Sequence, residues 1–167
     1  MSNYVSVLQD EMFANCSALN TLILSNSLTK INQGAFEYCS NLQNLEIPNS
    51  VSTIEENAFL ECPLTNLTLG ESVKSIGESA FCGSKLTSLR IPDSVISIGR
   101  SAFQNAPLSQ LSLGNSLQTI GDYAFALSDA ADVKNILKEI IIPNSVTTIG
   151  NYAFGNDGNI ENVILGS

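Results

Sequence analysis

Residues Ser72–Asp93 read SVKSIGESAFCGSKLTSLRIPD, and residues Ser94–Asn115 read SVISIGRSAFQNAPLSQLSLGN. Laid one on the other, they share Ser-Val, Ile-Gly, Ala-Phe and two leucines at the same offsets. Ser50–Glu71 (SVSTIEENAFLECPLTNLTLGE) repeats the frame with Glu55 in place of the glycine. Working outward, all seven phenylalanines of the chain fall on this register: Phe13, Phe36, Phe59, Phe81, Phe103, Phe125 and Phe154. Six follow an alanine directly, and the spacings are 23, 23, 22, 22, 22 and 29 residues. Self-similarity at a fixed period of about 20–50 residues marks a repeat architecture, in which one supersecondary unit stacks on the next.

The unit is S-[VL]-x-x-I-G-x-x-A-F, a short variable corner, then L-x-x-L-x-[LI]-[PG]-[NDE]. Further frames run over 27–49, 116–144 and 145–167, with an incomplete one before Ser27, so the chain makes roughly seven coils. Each coil of a solenoid packs on its neighbours only. The 167 residues therefore form a single elongated domain, 1–167. Residues 1–12 are expected to cap it, with Tyr4, Val5, Val7, Leu8 and Met12 covering the open end of the apolar stack. Residues 126–139 hold the seven extra residues of the one long spacing, an insertion that reads as a tolerated loop, with a partner contact as the alternative, and in which DAADVKNIL is compatible with a short helix.

Within a coil, Leu67 and Leu69 alternate with Asn66 and Thr68, the period-2 pattern of a half-buried strand. Stacked in register about 4.8 Å apart, such strands are expected to form a parallel sheet along one face. The S-V-x-x-I-G stretch reads as a second, shorter strand or an extended edge. Gly-x-x-Ala-Phe is compatible with one helical turn. The phenylalanines should stack as an aromatic spine, and Ser27, Ser50, Ser72, Ser94, Ser116 and Ser145 as a hydroxyl ladder satisfying backbone groups. Before the serines stand Asn26, Asn49, Asp93, Asn115 and Asn144, which is turn chemistry. Pro48, Pro92 and Pro143 alternate with Gly70, Gly114 and Gly166 where the leucine strands end. Cys16, Cys39 and Cys62 keep register three residues after their phenylalanines, Cys82 does not, and the four read as buried free thiols.

Composition narrows the function. A net charge of −9, with seven Lys and Arg spread thinly, offers no basic stripe for nucleic acid or an anionic membrane. No apolar run approaches the roughly 18 residues of a membrane span. Histidine is absent, so no Ser-His or Cys-His nucleophile pair forms. The glycines belong to corners rather than to a phosphate loop, and four cysteines without C-x-x-C or histidine make no zinc site. GNDGN around Asp157 is a fragment of a calcium loop without the rest, and reads as a turn. Neither a catalytic centre nor a cofactor or metal site is expected.

The stretches LRIPDSVISIGRSAF (Leu89–Phe103) and IIIPNSVTTIGNYAF (Ile140–Phe154) resemble the BspA-like class of leucine-rich repeats, and the resemblance extends from Phe13 to the end of the chain. It implies a right-handed, curved α/β solenoid with a parallel sheet on its concave face. It also implies a surface protein that adheres to host extracellular-matrix or cell-surface proteins. MSNYVSVLQDEMF carries no basic signal-peptide region, which keeps a cytoplasmic scaffold as the alternative. A glycan-binding surface is the third reading, held back by the lack of Trp and the presence of four Tyr. If the concave sheet binds the partner, its outward residues are Asn44 and Glu46, Asn66 and Thr68, Ser88 and Arg90, Gln110 and Ser112, and Glu139 and Ile141, with Thr21/Ile23 and Asn162/Ile164 at the ends. Asn15 and Asn66 stand in N-glycosylation sequons, and a glycan on Asn66 would contradict binding through that face. The terminal coils are also candidates for end-to-end self-association.

Overall fold

The computed structural model describes residues 5–128 and 136–166, a parallel β-solenoid of about six turns. The S-V-x-x-I segments give two-residue strands: β1 (Lys30–Ile31), β3 (Thr53–Ile54), β5 (Ser75–Ile76), β7 (Ser97–Ile98), β9 (Thr119–Ile120) and β11 (Thr148–Ile149). The leucine segments give β2 (Asn44–Glu46), β4 (Asn66–Thr68), β6 (Ser88–Arg90), β8 (Gln110–Ser112), β10 (Glu139–Ile142) and β12 (Asn162–Leu165).

The continuous sheet is made by the short strands. They pair in parallel in the order β1-β3-β5-β7-β9-β11, with the isoleucines in register from Ile31 to Ile149. The expected single sheet of leucine strands is instead three two-stranded pieces, β2-β4, β6-β8 and β10-β12. The Pro/Gly alternation accounts for the break. Each pair begins with a proline coil and ends with a glycine coil: Pro48 then Gly70, Pro92 then Gly114, Pro143 then Gly166. On Gly70 a Cβ would lie 2.5 Å from the Pro48 carbonyl oxygen, so only glycine lets the second coil close down. In the last pair the Gly166 N–H donates to the Ile142 carbonyl at 2.9 Å. On the step from a glycine coil to the next proline coil the equivalent residue is Pro92 or Pro143, which has no N–H to donate.

Side chains follow the same two-coil rhythm. The Asn49 carboxamide oxygen accepts from the Glu71 N–H and the Asp93 carboxylate from the Asn115 N–H, both at 2.8 Å. Asn66 Nδ2 donates to Asn44 Oδ1 at 2.8 Å, and Ser88 Oγ to Gln110 Oε1 at 3.4 Å. Each of these links the two coils of one pair.

Around Ala-Phe the backbone is not a helical turn, and no α-helix is assigned among the described residues. Successive residues alternate between local turn bonds and bonds to the next coil. Ala35, Glu37 and Cys39 donate to Asn32, Gly34 and Phe36, while Gly34, Phe36 and Tyr38 donate to Glu56, Ala58 and Leu60. That alternation needs a left-handed residue two before each phenylalanine (Glu11, Gly34, Asn57, Ser79, Ser101, Tyr123, Tyr152), and all but the Phe125 coil have another two after it.

The core is the stack of inward side chains. All seven phenylalanine rings stack with centroids 5.2–5.5 Å apart and planes within 10° of parallel. Five of them, Phe36 to Phe125, are fully buried beside the isoleucine, valine and alanine ladders. Of the residues expected to cap the N-terminal end, Leu8 is buried, whereas Val5, Val7 and Met12 are exposed; Tyr4 lies outside the described residues. The serine ladder satisfies backbone groups only in part. Ser94 Oγ donates to the Val73 carbonyl at 2.7 Å, but the buried hydroxyls of Ser50 and Ser145 have no partner among the described residues. The thiol expectation holds for Cys39 and Cys62, which are buried, free, and donate to the Phe13 and Phe36 carbonyls. Cys82 is half-buried, and Cys16 is exposed because it lies in the first, half-covered coil.

Candidate functional site

Along a leucine strand the leucine points into the solenoid, and its two flanking residues point out. The structure places Asn44, Glu46, Asn66, Thr68, Ser88, Arg90, Gln110, Ser112, Glu139 and Ile141 in two exposed rows on this face. Parallel register sets them side by side: Asn44 opposite Asn66 and Glu46 opposite Thr68, Ser88 opposite Gln110 and Arg90 opposite Ser112, Glu139 opposite Asn162 and Ile141 opposite Ile164. The rows are broken where the sheet is broken, so the face is three patches rather than one.

Arg90 bridges one of the breaks. Its guanidinium donates to the Glu71 carboxylate at 2.6 Å, from the first coil of the second pair to the last coil of the first. That bond and the neighbouring Glu71 charge raise the Arg90 pKa above its ordinary value. Lys138 meets Glu161 at 3.1 Å within the last pair. The aliphatic ends anticipated from sequence are present: Ile23 is 89% exposed, and Ile141 and Ile164 are exposed as a registered pair.

Two depressions lie on the face over the first three coils, of about 930 Å³ and 450 Å³. Their walls include Leu22, Leu24 and Pro48, which reading strand by strand did not single out. The signal was present in the Pro/Gly alternation, which marks where the leucine sheet opens. A second feature is an outer-face aromatic stack. Tyr123 and Tyr152 lie 5.4 Å apart and nearly parallel, with the Arg100 guanidinium 5.9 Å from the Tyr123 ring centroid. From the 126–139 insertion, Leu137 is buried and Ile136 exposed, while Asp129, Asp132, Lys134 and most of the anticipated short helix lie outside the described residues.

Reactive chemistry is sparse. Burial pushes the Cys62 thiol up to about 12 and the Cys82 thiol up to about 11, leaving both protonated at neutral pH. Asp157, raised by burial, accepts from the Asn159 N–H in a local turn. Among the described residues no group of three His, Cys, Asp or Glu is placed to hold a metal ion, and no helix is long and apolar enough to cross a membrane.

Residues 6–132 and 129–167 match the family model for the BspA type leucine rich repeat region, in six copies. Among solved structures, the pneumococcal vaccine antigen PcpA aligns at 26% identity with a TM-score of 0.64, over 83% of this chain and 35% of the antigen. A leucine-rich cell surface protein from Faecalibacterium prausnitzii A2-165 aligns at 25% identity with a TM-score of 0.52, over 92% of this chain and 55% of that one. A leucine-rich repeat protein from Bacteroides ovatus ATCC 8483 shares the fold at 22% identity, with a TM-score of 0.54 over 98% of this chain and 55% of that one. The chain thus spans about a third to a half of these proteins. No curated protein sequence matches it.

Proposed function

The chain belongs to the BspA type leucine-rich repeat family, and from that premise we propose that it is a non-enzymatic protein-binding module of a cell-surface adhesin type. Its binding face is the concave leucine-strand face. The observation that carries the reading is the pair of exposed rows in parallel register, which line two depressions over the first three coils. Inward leucines hold these side chains at strand spacing, and an extended surface of this kind is what solenoids commonly offer a partner. The surface setting rests on the likeness to a cell surface protein and to a vaccine antigen. The partner class is a host matrix or surface protein. The buried free thiols of Cys39 and Cys62 favour a second reading, an intracellular scaffold, since thiols persist unpaired in reducing compartments.

The test is affinity capture from host extracellular matrix and, separately, from the source organism's cytosol, comparing wild type with an Arg90→Glu, Glu46→Lys double variant. Both side chains are exposed, so the variant should fold. A matrix protein retained by wild type and lost by the variant is the expected result. A cytosolic partner lost in the same way would move the protein to the scaffold class. Equal capture by both forms would clear this face and point to the outer Tyr123–Tyr152 stack.

A further inference from the structure

The two depressions share Leu22, Glu46 and Thr68 and together make one groove over the first three coils. It lies where the leucine sheet is open. β2 pairs only with β4, and residues 20–24 form no strand, so the Leu22–Leu24 segment and β2 face each other without a ladder. Three chemical features meet there. Ile23 stands almost fully in solvent above half-buried Leu22 and Leu24, an aliphatic wall. Asn44 and Asn66 are joined at 2.8 Å, and each carboxamide keeps further donor or acceptor capacity for a peptide group. The charged lining residues are Glu46 and Glu71, with no lysine or arginine. Glu71 is held by Arg90, and Glu46 has no cationic partner among the described residues.

Glu46 offers a charge-assisted bond to a cation, and the Ile23 wall offers burial to an aliphatic group. No aromatic side chain lines the groove, so it lacks the platform on which a sugar ring stacks. We infer that this groove takes an extended segment of a partner protein carrying a lysine or arginine beside an aliphatic residue. The cation meets Glu46, the aliphatic group lies on Ile23, and the Asn44 and Asn66 carboxamides hold the segment's backbone. This assignment rests on the protein-binding reading and narrows it to one end of the face and one charge type.

The probe is a labelled octapeptide, Gly-Ser-Lys-Leu-Lys-Ser-Gly-Ser, with a counterpart carrying glutamate for both lysines. Fluorescence anisotropy at low and high salt gives affinity, and side-chain NH2 signals in a ¹H–¹⁵N spectrum give location. We expect the lysine peptide to bind and to shift the Asn44 and Asn66 signals, while the glutamate peptide does neither. Glu46→Gln should weaken binding roughly tenfold, a loss of about 1.4 kcal/mol. Ile23→Ser should weaken it independently of salt. Equal binding of both peptides, shifts confined to later coils, absence of any binding, or indifference to Glu46→Gln would overturn the assignment. If the Arg90→Glu, Glu46→Lys variant still loses a captured protein while the lysine peptide shifts nothing, the protein-binding reading stands and the groove assignment alone falls.

Discussion

Tyr123 and Tyr152 hold φ angles of 58° and 53°, values that favour glycine, asparagine or aspartate. The solenoid imposes this conformation two residues before each phenylalanine, and five coils meet it with Glu11, Gly34, Asn57, Ser79 and Ser101. Ser79, at φ 51°, tests the cost of filling the position with a side chain. Ser79→Gly should raise stability by up to about 1 kcal/mol, and Ser79→Val should lower it by about 1–2 kcal/mol, read from thermal unfolding. The thiols give the chain an alkaline limit. An unfolded cysteine ionises near its ordinary value of 9, whereas Cys62 in the folded chain ionises near 12 and Cys82 near 11. Above pH 9 the unfolded state therefore binds fewer protons than the native one, and stability falls with rising pH by roughly 1 kcal/mol per unit for Cys62, and by less for half-buried Cys82, which water screens. Below pH 9 these groups leave stability unchanged. Thermal melts from pH 7 to 10.5 should show a flat region and then a decline, shallower in Cys62→Ala once its lower starting stability is subtracted. A melting temperature constant to pH 10.5 would contradict the buried thiols.

At the scale of the element, two kinds of strand divide the work. The two-residue isoleucine strands carry the ladder from β1 to β11, and the leucine strands carry the outward residues in pairs. Pairing predicts a difference in amide exchange. The Ile47 and Ile91 N–H groups donate to Thr68 and Ser112 carbonyls at 2.8 Å inside their pairs. The equivalent Leu69 and Leu113 N–H groups face the open steps and have no backbone partner among the described residues. Hydrogen exchange should protect Ile47 and Ile91 well above Leu69 and Leu113, and equal protection would mean a continuous sheet. Closure within a pair also depends on glycine. A Cβ on Gly114 would overlap the Pro92 carbonyl oxygen, so Gly114→Ala should cost about 2 kcal/mol or more, read by denaturant unfolding.

For the whole molecule, stability is a sum over neighbouring coils, so the cost of a change depends on its place along the axis. Phe81 lies between two rings in the fully buried stretch of the stack, whereas Phe13 ends the stack and is 37% exposed. Phe81→Ala should cost about 3–5 kcal/mol and Phe13→Ala clearly less. Equal losses would imply a globally shared core rather than a stack. The net charge of −9 acts at this scale too, favouring cationic partners and disfavouring nucleic acid. A salt titration of any captured complex should show affinity falling as ionic strength rises, most steeply if Glu46 makes the contact.

Period and composition by themselves determined the repeat, its register, the phenylalanine spine and which two residues of each leucine strand face outward. These are properties of one coil, and a coil that must bury its phenylalanine, isoleucine and leucines against a copy of itself has little choice of orientation. What happens between coils was decided only in three dimensions. Pro48 and Gly70 read singly are ordinary strand ends; their consequence needs the distance between one coil's carbonyl and the next coil's Cβ. The same holds for the Ala-Phe corner, where bonds alternating between a coil's own turn and the next coil displace the helical turn that the local sequence allows. The Pro/Gly alternation marks in the sequence where the leucine sheet opens, but not which side chains gather around the opening. The groove exists because the first coil meets a proline coil, the ladder there does not close, and Ile23, Asn44 and Glu46 are left around the opening.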